Sequence, residues 1–149
     1  MRMQGEEMIQ GLNHVGLGVE NLERSVRFYT EVMGMEIDYR AYHEGKAISD
    51  VVGVENAILD ICVVKKGPCE IELIEYKNRA PTPEDYKPQN EPGLIHISFA
   101  VSSVDEVYER IKAFGYEAYS DPMVTRENGP KICYVKGPDN VIFELYEKR

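Results

Sequence analysis

Two histidines of this 149-residue chain occupy matching places in an internal repeat. His14 is the fourth residue of the segment 11–19, and His96 is the fourth residue of the segment 93–101. In both segments a glycine and a leucine open the run and a valine closes it. Imidazole is a ligand that zinc, nickel, cobalt, manganese and iron all accept. Two matched histidines therefore suggest one metal site built from both copies of the repeat.

Two glutamates are matched in the same way. Glu72 lies in the segment 71–75 and Glu144 in the segment 143–147, each near the end of its half of the chain. A carboxylate that points from a strand into a cleft among apolar side chains is costly unless its charge is compensated. One divalent cation compensates two carboxylates when the histidines are neutral. The sequence therefore predicts one divalent metal ion (Zn, Ni, Co, Mn or Fe), and its predicted ligands are His14, Glu72, His96 and Glu144.

The elements that position these residues repeat as well. The segments 12–19 and 94–101 alternate between two faces, so each predicts a strand with an apolar core face and an opposite face around one histidine. A cap residue follows each strand, Asn21 in the first half and Ser103 in the second, and an amphipathic helix follows each cap. A glycine marks the end of each helix. We therefore expect both histidines on strand faces that the helices leave uncovered.

Each half continues with further predicted strands, over 36–43, 55–65 and 69–76 in the first half and over 116–119, 130–136 and 141–146 in the second. The segment 45–53 predicts either a short helix or a loop. Each half therefore has the order strand–helix–strand–strand–strand. The predicted fold class is α+β, with paired βαβββ modules that form a half-open barrel around the metal site.

The two predicted modules cover about 11–76 and 93–147, and they belong to a single predicted domain over residues 10–149. The segment 77–92 between them is rich in proline, so it predicts a loop that joins the modules. Residues 1–9 are polar and predict a flexible N-terminus.

Charge and composition exclude several classes of function. The net charge of −9 argues against a nucleic-acid partner, which needs a basic surface. No apolar run reaches the length of a membrane span, and no signal-peptide pattern opens the chain. The three cysteines form no C-x-x-C pair, which argues against a disulfide framework. We therefore expect a cytoplasmic protein that acts on a small-molecule substrate, with no nucleic acid and no membrane as partner.

Four motifs connect the chain to a known family. They are Leu12-Asn13-His14-Val15-Gly16, Ile71-Glu72-Leu73, His96-Ile97-Ser98-Phe99 and Pro138-Asp139-Asn140-Val141-Ile142-Phe143-Glu144-Leu145. At these residues the chain resembles the vicinal oxygen chelate superfamily. The resemblance implies paired βαβββ modules whose first and last strands supply the metal ligands, which are here the same four residues. Because paired modules leave sheet edges open and relatives commonly dimerise, we also expect a homodimer.

Within this superfamily the His/Glu/His/Glu set resembles that of glyoxalase I. The resemblance implies a divalent-metal-dependent lyase or isomerase, similar to lactoylglutathione lyase, that moves a proton next to a carbonyl group held by the metal. Glu144 is then the residue that moves the proton, with Glu72 as its mirror partner. The substrate itself is left open.

Three other branches offer alternatives. Methylmalonyl-CoA epimerases resemble the chain in layout, but they usually carry glutamine in place of Glu72. A resistance protein that binds a small molecule without turnover is a second alternative, although such relatives generally lack the ligand set. Extradiol dioxygenases use three ligands and extra histidines, and this chain has a fourth ligand and one spare histidine, His43, which disfavours that branch.

Other side chains are candidates for contact with the substrate. His43 lies in a predicted strand from which it could reach the cleft. Tyr76 and Tyr146 lie on the strand faces that carry the predicted ligands. Arg126 lies in a loop that could close over the cleft and pair with a substrate carboxylate. Cys133 is expected to be a buried thiol with a structural role.

Overall fold

The computed structural model describes residue 8 and the ranges 11–81 and 83–149. The first half contains β1 (Val15–Gly18), α1 (Leu22–Arg27) with a π-helical continuation over Phe28–Val32, β2 (Glu36–Glu44), α2 (Lys46–Val52), β3 (Ile58–Lys66) and β4 (Cys69–Tyr76). The second half contains β5 (Ile97–Ala100), α3 (Val104–Ala113), β6 (Glu117–Ala118), β7 (Met123–Val124), β8 (Lys131–Lys136), a 3-10 turn (Pro138–Asn140) and β9 (Ile142–Glu147). The predicted flexible segment 1–9 lies outside the described residues, apart from Met8. None of the helices in the described ranges is long and apolar enough to cross a bilayer.

The two halves form two sheets with the same topology. The strand order is β1-β4-β3-β2 in the first sheet and β5-β9-β8-β6 in the second, where β7 also pairs with β8. In each sheet the first strand of the module lies parallel to the last one, and the remaining pairs are antiparallel. The predicted α+β class with two paired modules is therefore confirmed. The described strands of the two sheets do not join into a closed barrel.

The helices begin where the sequence predicts. The Asn21 side chain accepts a hydrogen bond from the backbone N–H of Arg24 at 2.9 Å, and the Ser103 hydroxyl accepts one from the backbone N–H of Glu106 at 3.2 Å. Each helix also receives a carboxylate from the last strand of its own module. Glu75 accepts from the N–H at the start of α1 at 2.7 Å, and Glu147 accepts from the N–H at the start of α3 at 2.8 Å. The second glutamate of each matched segment therefore has a structural role.

The sheet faces that α1 and α3 cover, called here the helix-covered faces, meet in one hydrophobic core. Leu73 of the first sheet and Leu145 of the second are fully buried in it. Phe28, which follows α1, stacks on Phe143 of β9 with ring centres 5.7 Å apart. Because each sheet turns its helix-covered face toward this core, the opposite faces, which carry the predicted ligands, point away from it.

A turn of the second module holds the start of α1 in place. The Asp139 side chain is only 4% exposed. Its carboxylate accepts hydrogen bonds from the Arg24 guanidinium at 2.8 Å, the Ser25 hydroxyl at 2.9 Å and the backbone N–H of Glu20 at 3.0 Å. This contact joins residues more than one hundred positions apart, so it fixes one module against the other.

The strands β1, β5 and β7 differ from the sequence prediction, and α2 decides one alternative that the sequence left open. The first strand of each module is shorter than the predicted 12–19 and 94–101, because β1 and β5 pair with their neighbours only from Val15 and Ile97 onward. The ambiguous segment 45–53 forms the helix α2. The two-residue strand β7 was not predicted, because its pairing with β8 leaves no periodic pattern in so short a segment.

Candidate metal centre

The first half of the candidate site is the pair His14 and Glu72. Glu72 lies in β4 beside Gly16 of β1, and His14 directly precedes β1. The His14 Nε2 lies 3.8 Å from Glu72 Oε1, and its Nδ1 lies 2.7 Å from the Asn13 side-chain oxygen. Because that oxygen only accepts hydrogen bonds, Nδ1 is the donor in this contact, and in a neutral imidazole Nε2 is then the nitrogen with the lone pair. This is the tautomer that binds a metal through Nε2.

The second half is the pair His96 and Glu144. Glu144 lies in β9 beside Ser98 of β5, which repeats the register of the first pair. The His96 Nε2 lies 3.5 Å from Glu144 Oε2 and 3.3 Å from the Tyr134 hydroxyl. Burial and the nearby Glu144 carboxylate raise the pKa of Tyr134, so its phenol stays neutral and can donate a hydrogen bond.

Both pairs have the composition of half of a metal site. The two carboxylates are recessed, with 21% exposure for Glu72 and 15% for Glu144, whereas the imidazoles are about two-fifths exposed. Within the described ranges, neither carboxylate lies within ion-pair distance of a lysine or arginine. Two ligands about 2.1 Å from one metal lie about 3.0–3.5 Å apart, so small side-chain rotations would let each pair close on a cation. Spacing and donor chemistry therefore both fit a divalent metal.

The expected gathering of all four ligands within one chain is not found. The described residues contain no group of three or more histidine, cysteine, aspartate or glutamate side chains that could hold one metal ion. The structure instead places the four predicted ligands in two pairs, one on each sheet. The two helix-covered faces pack together in one core, so the two faces that carry the predicted ligands point in opposite directions.

The two ligand faces differ in how they are covered. Beside Glu72, the face carries Val63 and is packed under Ile48 and Val52 of α2. Beside Glu144, the corresponding strand position is Tyr134, and an open cavity of about 590 Å³ lies next to His96. The cavity is lined by Gln89, Leu94, His96, Tyr119, Ser120, Met123, Thr125, Ile132, Cys133 and Tyr134. Sequence reasoning missed Tyr134, although its alternation with two buried β8 residues places it on the ligand face.

The remaining sequence candidates lie at greater separation from the ligands. His43 and Tyr76 share the sheet face of Glu72, but they lie on either side of Leu59 of β3, and Tyr76 is four residues along β4 from Glu72. Tyr146 shares the face of Glu144, two residues further along β9. Arg126 lies in the turn before β8, against Gly129.

Cys133 is buried, as the sequence predicts. Its Sγ lies 3.4 Å from the carbonyl oxygen of Ser120, and burial raises the pKa of its thiol to about 11. A thiol with this pKa and this burial is a poor nucleophile at neutral pH. It therefore contributes to packing behind the cavity.

The family model of the glyoxalase/bleomycin resistance protein/dioxygenase superfamily matches residues 13–134, which include both histidines. The chain belongs to this superfamily. The resemblance carried by the four motifs is thereby confirmed at the level of the family.

Named relatives in this superfamily are distant in sequence. The chain is 30% identical to lactoylglutathione lyase of Salmonella typhimurium over 144 residues, which cover 93% of each protein. It is 31% identical to 2-epi-5-epi-valiolone epimerase of an Actinomyces species over 143 residues, which cover 90% of this chain and 77% of the epimerase. Among solved structures, a glyoxalase family protein of Bacillus cereus superposes with a TM-score of 0.83 at 26% identity, covering 99% of this chain and 98% of the other.

Proposed function

We propose that this member of the superfamily is a divalent-metal-dependent lyase or isomerase that moves a proton on a carbon next to a carbonyl group. The observation that carries the proposal is the pairing of each recessed carboxylate, Glu72 and Glu144, with an accessible imidazole nitrogen and with no basic partner among the described residues. A partly buried carboxylate without a cation is costly, and a divalent ion removes that cost. The similarity to lactoylglutathione lyase supports the same class of reaction.

The chain's own residues perform the proton transfer in this proposal. A bound divalent ion supplies a Lewis acid that stabilises negative charge on the substrate's oxygens. His14 and His96 hold that ion, and Glu144 takes the proton from the carbon and returns it. Return to the neighbouring carbon gives an isomerisation, whereas return to the opposite face of the same carbon gives an epimerisation. General-base transfer of this kind contributes about 10²–10⁴-fold to the rate.

We further infer that a complete site needs two copies of the chain. β1 and β5, the strands next to His14 and His96, are the terminal strands of their described sheets, so each leaves an edge open beside a ligand. Exposed apolar side chains flank both histidines: Leu12 is 85% exposed and Ile95 is 68% exposed. A second copy would cover these residues and would bring His14 and Glu72 of one subunit to the other ligand pair of its partner.

A subunit-mixing experiment tests the shared site. One variant carries His14→Ala and Glu72→Gln, and the other carries His96→Ala and Glu144→Gln. Neither forms a complete site alone, but a mixed dimer has one intact site. After subunit exchange in an equimolar mixture, we expect metal binding and activity to return to about one quarter of wild type, because half the dimers are mixed and each has one site. No recovery despite exchange verified by mass spectrometry would contradict the shared site.

The reaction class is tested by solvent deuterium incorporation. The metal-loaded protein is incubated in D₂O with the methylglyoxal–glutathione hemithioacetal, methylmalonyl-CoA and dihydroxyacetone as probes. A rearranged product with deuterium indicates a lyase or isomerase, and deuterium at an unchanged carbon skeleton indicates an epimerase. Tight binding of a probe without exchange would favour the binding-protein alternative. Consumption of dioxygen would move the protein to the dioxygenase branch.

A further inference from the structure

The face of the second sheet that carries Glu144 also carries a lysine, Lys136. Cys133 and Val135 of β8 are buried in the core, so Tyr134 and Lys136 alternate with them onto the opposite face, which carries Glu144. Lys136 pairs with Ile142 of β9. His96 directly precedes the Ile97–Phe143 pair, so it lies alongside Ile142 from the other side. Only β9 thus separates Lys136 from His96, which places their backbones about 10 Å apart.

The surroundings of Lys136 are aromatic. Its Nζ lies 5.0 Å from the centre of the Tyr119 ring and 5.9 Å from the centre of the Tyr86 ring. Tyr86 belongs to the segment that joins the modules, and its hydroxyl donates a hydrogen bond to the carbonyl oxygen of Gly137 at 2.5 Å. Glu117 lies opposite Lys136 in the neighbouring strand. Within the described ranges, no carboxylate lies within ion-pair distance of the Lys136 Nζ, and this includes Glu117.

The first module provides an internal comparison for this lysine. Lys65 of β3 corresponds to Lys136 of β8. Lys65 is two residues after Val63, which pairs with Glu72, and Lys136 is two residues after Tyr134, which pairs with Glu144. Lys65 forms an ion pair with Asp38 and lies beside Glu70 of β4. In the second module, Ile142 occupies the place of Glu70. Lys65 is therefore paired with a carboxylate, whereas the corresponding Lys136 has aromatic neighbours.

We propose that Lys136, held between Tyr119 and Tyr86, binds an anionic group of the substrate, a phosphate or a carboxylate. The proposal rests on the proposed function, in which the carbonyl end of the same molecule lies at His96 and Glu144. The rings attract the ammonium group by cation–π interaction but take none of its hydrogen bonds, so its N–H donors are available to an oxyanion. The substrate class is thus a small carbonyl compound with an anionic group.

Anion binding is tested first on the metal-free protein, so that the result does not depend on the metal reaction. Inorganic phosphate and malonate are titrated separately while NMR signals of the Tyr119 ring and the Lys136 side chain are recorded. We expect one of the two anions to shift these signals. Phosphate alone would identify a phosphorylated substrate, and malonate alone a carboxylated one. The Lys136→Met variant should bind the same anion about 10- to 100-fold more weakly, and Lys136→Arg should retain binding.

Lys65→Met is the matched control, because it removes the corresponding lysine from the first module. It should leave anion binding unchanged. The proposal is overturned if neither anion shifts the Tyr119 signals of the wild type, or if Lys136→Met binds as tightly as the wild type.

A second comparison uses dihydroxyacetone phosphate and uncharged dihydroxyacetone on the metal-loaded protein. Lys136→Met should weaken binding of the phosphate ester and leave binding of the parent compound unchanged. If the protein binds metal and exchanges deuterium, but Lys136→Met leaves the preference for the phosphate ester unchanged, only the role of Lys136 is refuted. Lys136-dependent anion binding without metal binding would refute only the proposed function.

Discussion

The open side of the second ligand face predicts that Glu144, rather than Glu72, moves the proton. The cavity beside His96 gives a substrate room to approach Glu144, whereas α2 packs over the face beside Glu72. Tyr134 adds a neutral hydroxyl on the Glu144 side, where the first module has the apolar Val63. The two glutamates are equivalent as proposed ligands, but only Glu144 has neighbours, His96 and Tyr134, that line an open cavity.

Replacing each glutamate with glutamine separates the two roles. The amide keeps an oxygen that can coordinate a metal, but it does not accept a proton at neutral pH. Glu144→Gln should therefore lower proton transfer by about 10²-fold or more even when the protein is fully metal-loaded. Glu72→Gln removes one negative charge from the ligand set, so it should weaken metal binding by about tenfold or more, and excess metal should restore most of the activity.

The assay measures solvent deuterium incorporation and metal occupancy on the same samples. Glu36→Gln is the control, since Glu36 is an exposed carboxylate at the start of β2 and pairs with Lys65, not with either histidine. It should behave as the wild type in both measurements. Wild-type exchange by metal-saturated Glu144→Gln would refute the assignment of the base. An equal loss in metal-saturated Glu72→Gln would refute the argument from the cavity.

Three further predictions concern stability and thiol chemistry. Gly137→Ala should lower the free energy of unfolding by about 1–3 kcal/mol in urea denaturation, because a Cβ there would lie 2.2 Å from a Phe143 ring carbon. Gly18→Ala is the control and should not overpack the core, because a Cβ at Gly18 meets nothing within 4 Å. Burial favours a higher pKa for Glu75, but hydrogen bonds from Lys77 and the Leu22 N–H outweigh it and hold the pKa below the usual 4.5. Its stabilising effect is therefore present above pH 4.5 and is lost as the pH falls below that value, so Glu75→Gln should show a smaller acid loss of stability; an unchanged pH profile would contradict this. In a thiol titration of the native protein, the exposed Cys69 should react quickly, and the buried Cys62 and Cys133 should react only after unfolding; three equally fast thiols would contradict the packing of the core.

The order of elements could be predicted because its signals are local. Asn21 and Ser103 each cap the helix that the sequence assigns to them, and the strand over residues 69–76 has the predicted bounds. Alternation also placed Glu72 and Glu144 on the faces opposite the core. These features depend on neighbouring residues along the chain, so one sequence is sufficient to find them.

The arrangement of the two modules could not be predicted, because it depends on contacts between distant residues. The stacking of Phe28 on Phe143 and the hydrogen bonds of Asp139 to the start of α1 join the helix-covered faces. Nothing local in the sequence indicates which faces of two amphipathic modules will pack together. The prediction that four ligands gather in one chain assumed that the ligand faces meet, and the structure brings the opposite faces together.

The two modules differ at positions that are candidates for substrate contact and agree at the proposed metal ligands. Positions that match across the repeat, such as His14 and His96, have the same surroundings in both halves, each beside a recessed glutamate, as expected of the proposed ligands to one ion. Substrate recognition needs an asymmetric environment, since a small molecule presents different groups at its two ends. Two differences on these faces are Val63 against Tyr134 and ion-paired Lys65 against Lys136. Both changes lie on the face that borders the open cavity, so the second module is where substitutions should alter substrate preference without removing the metal.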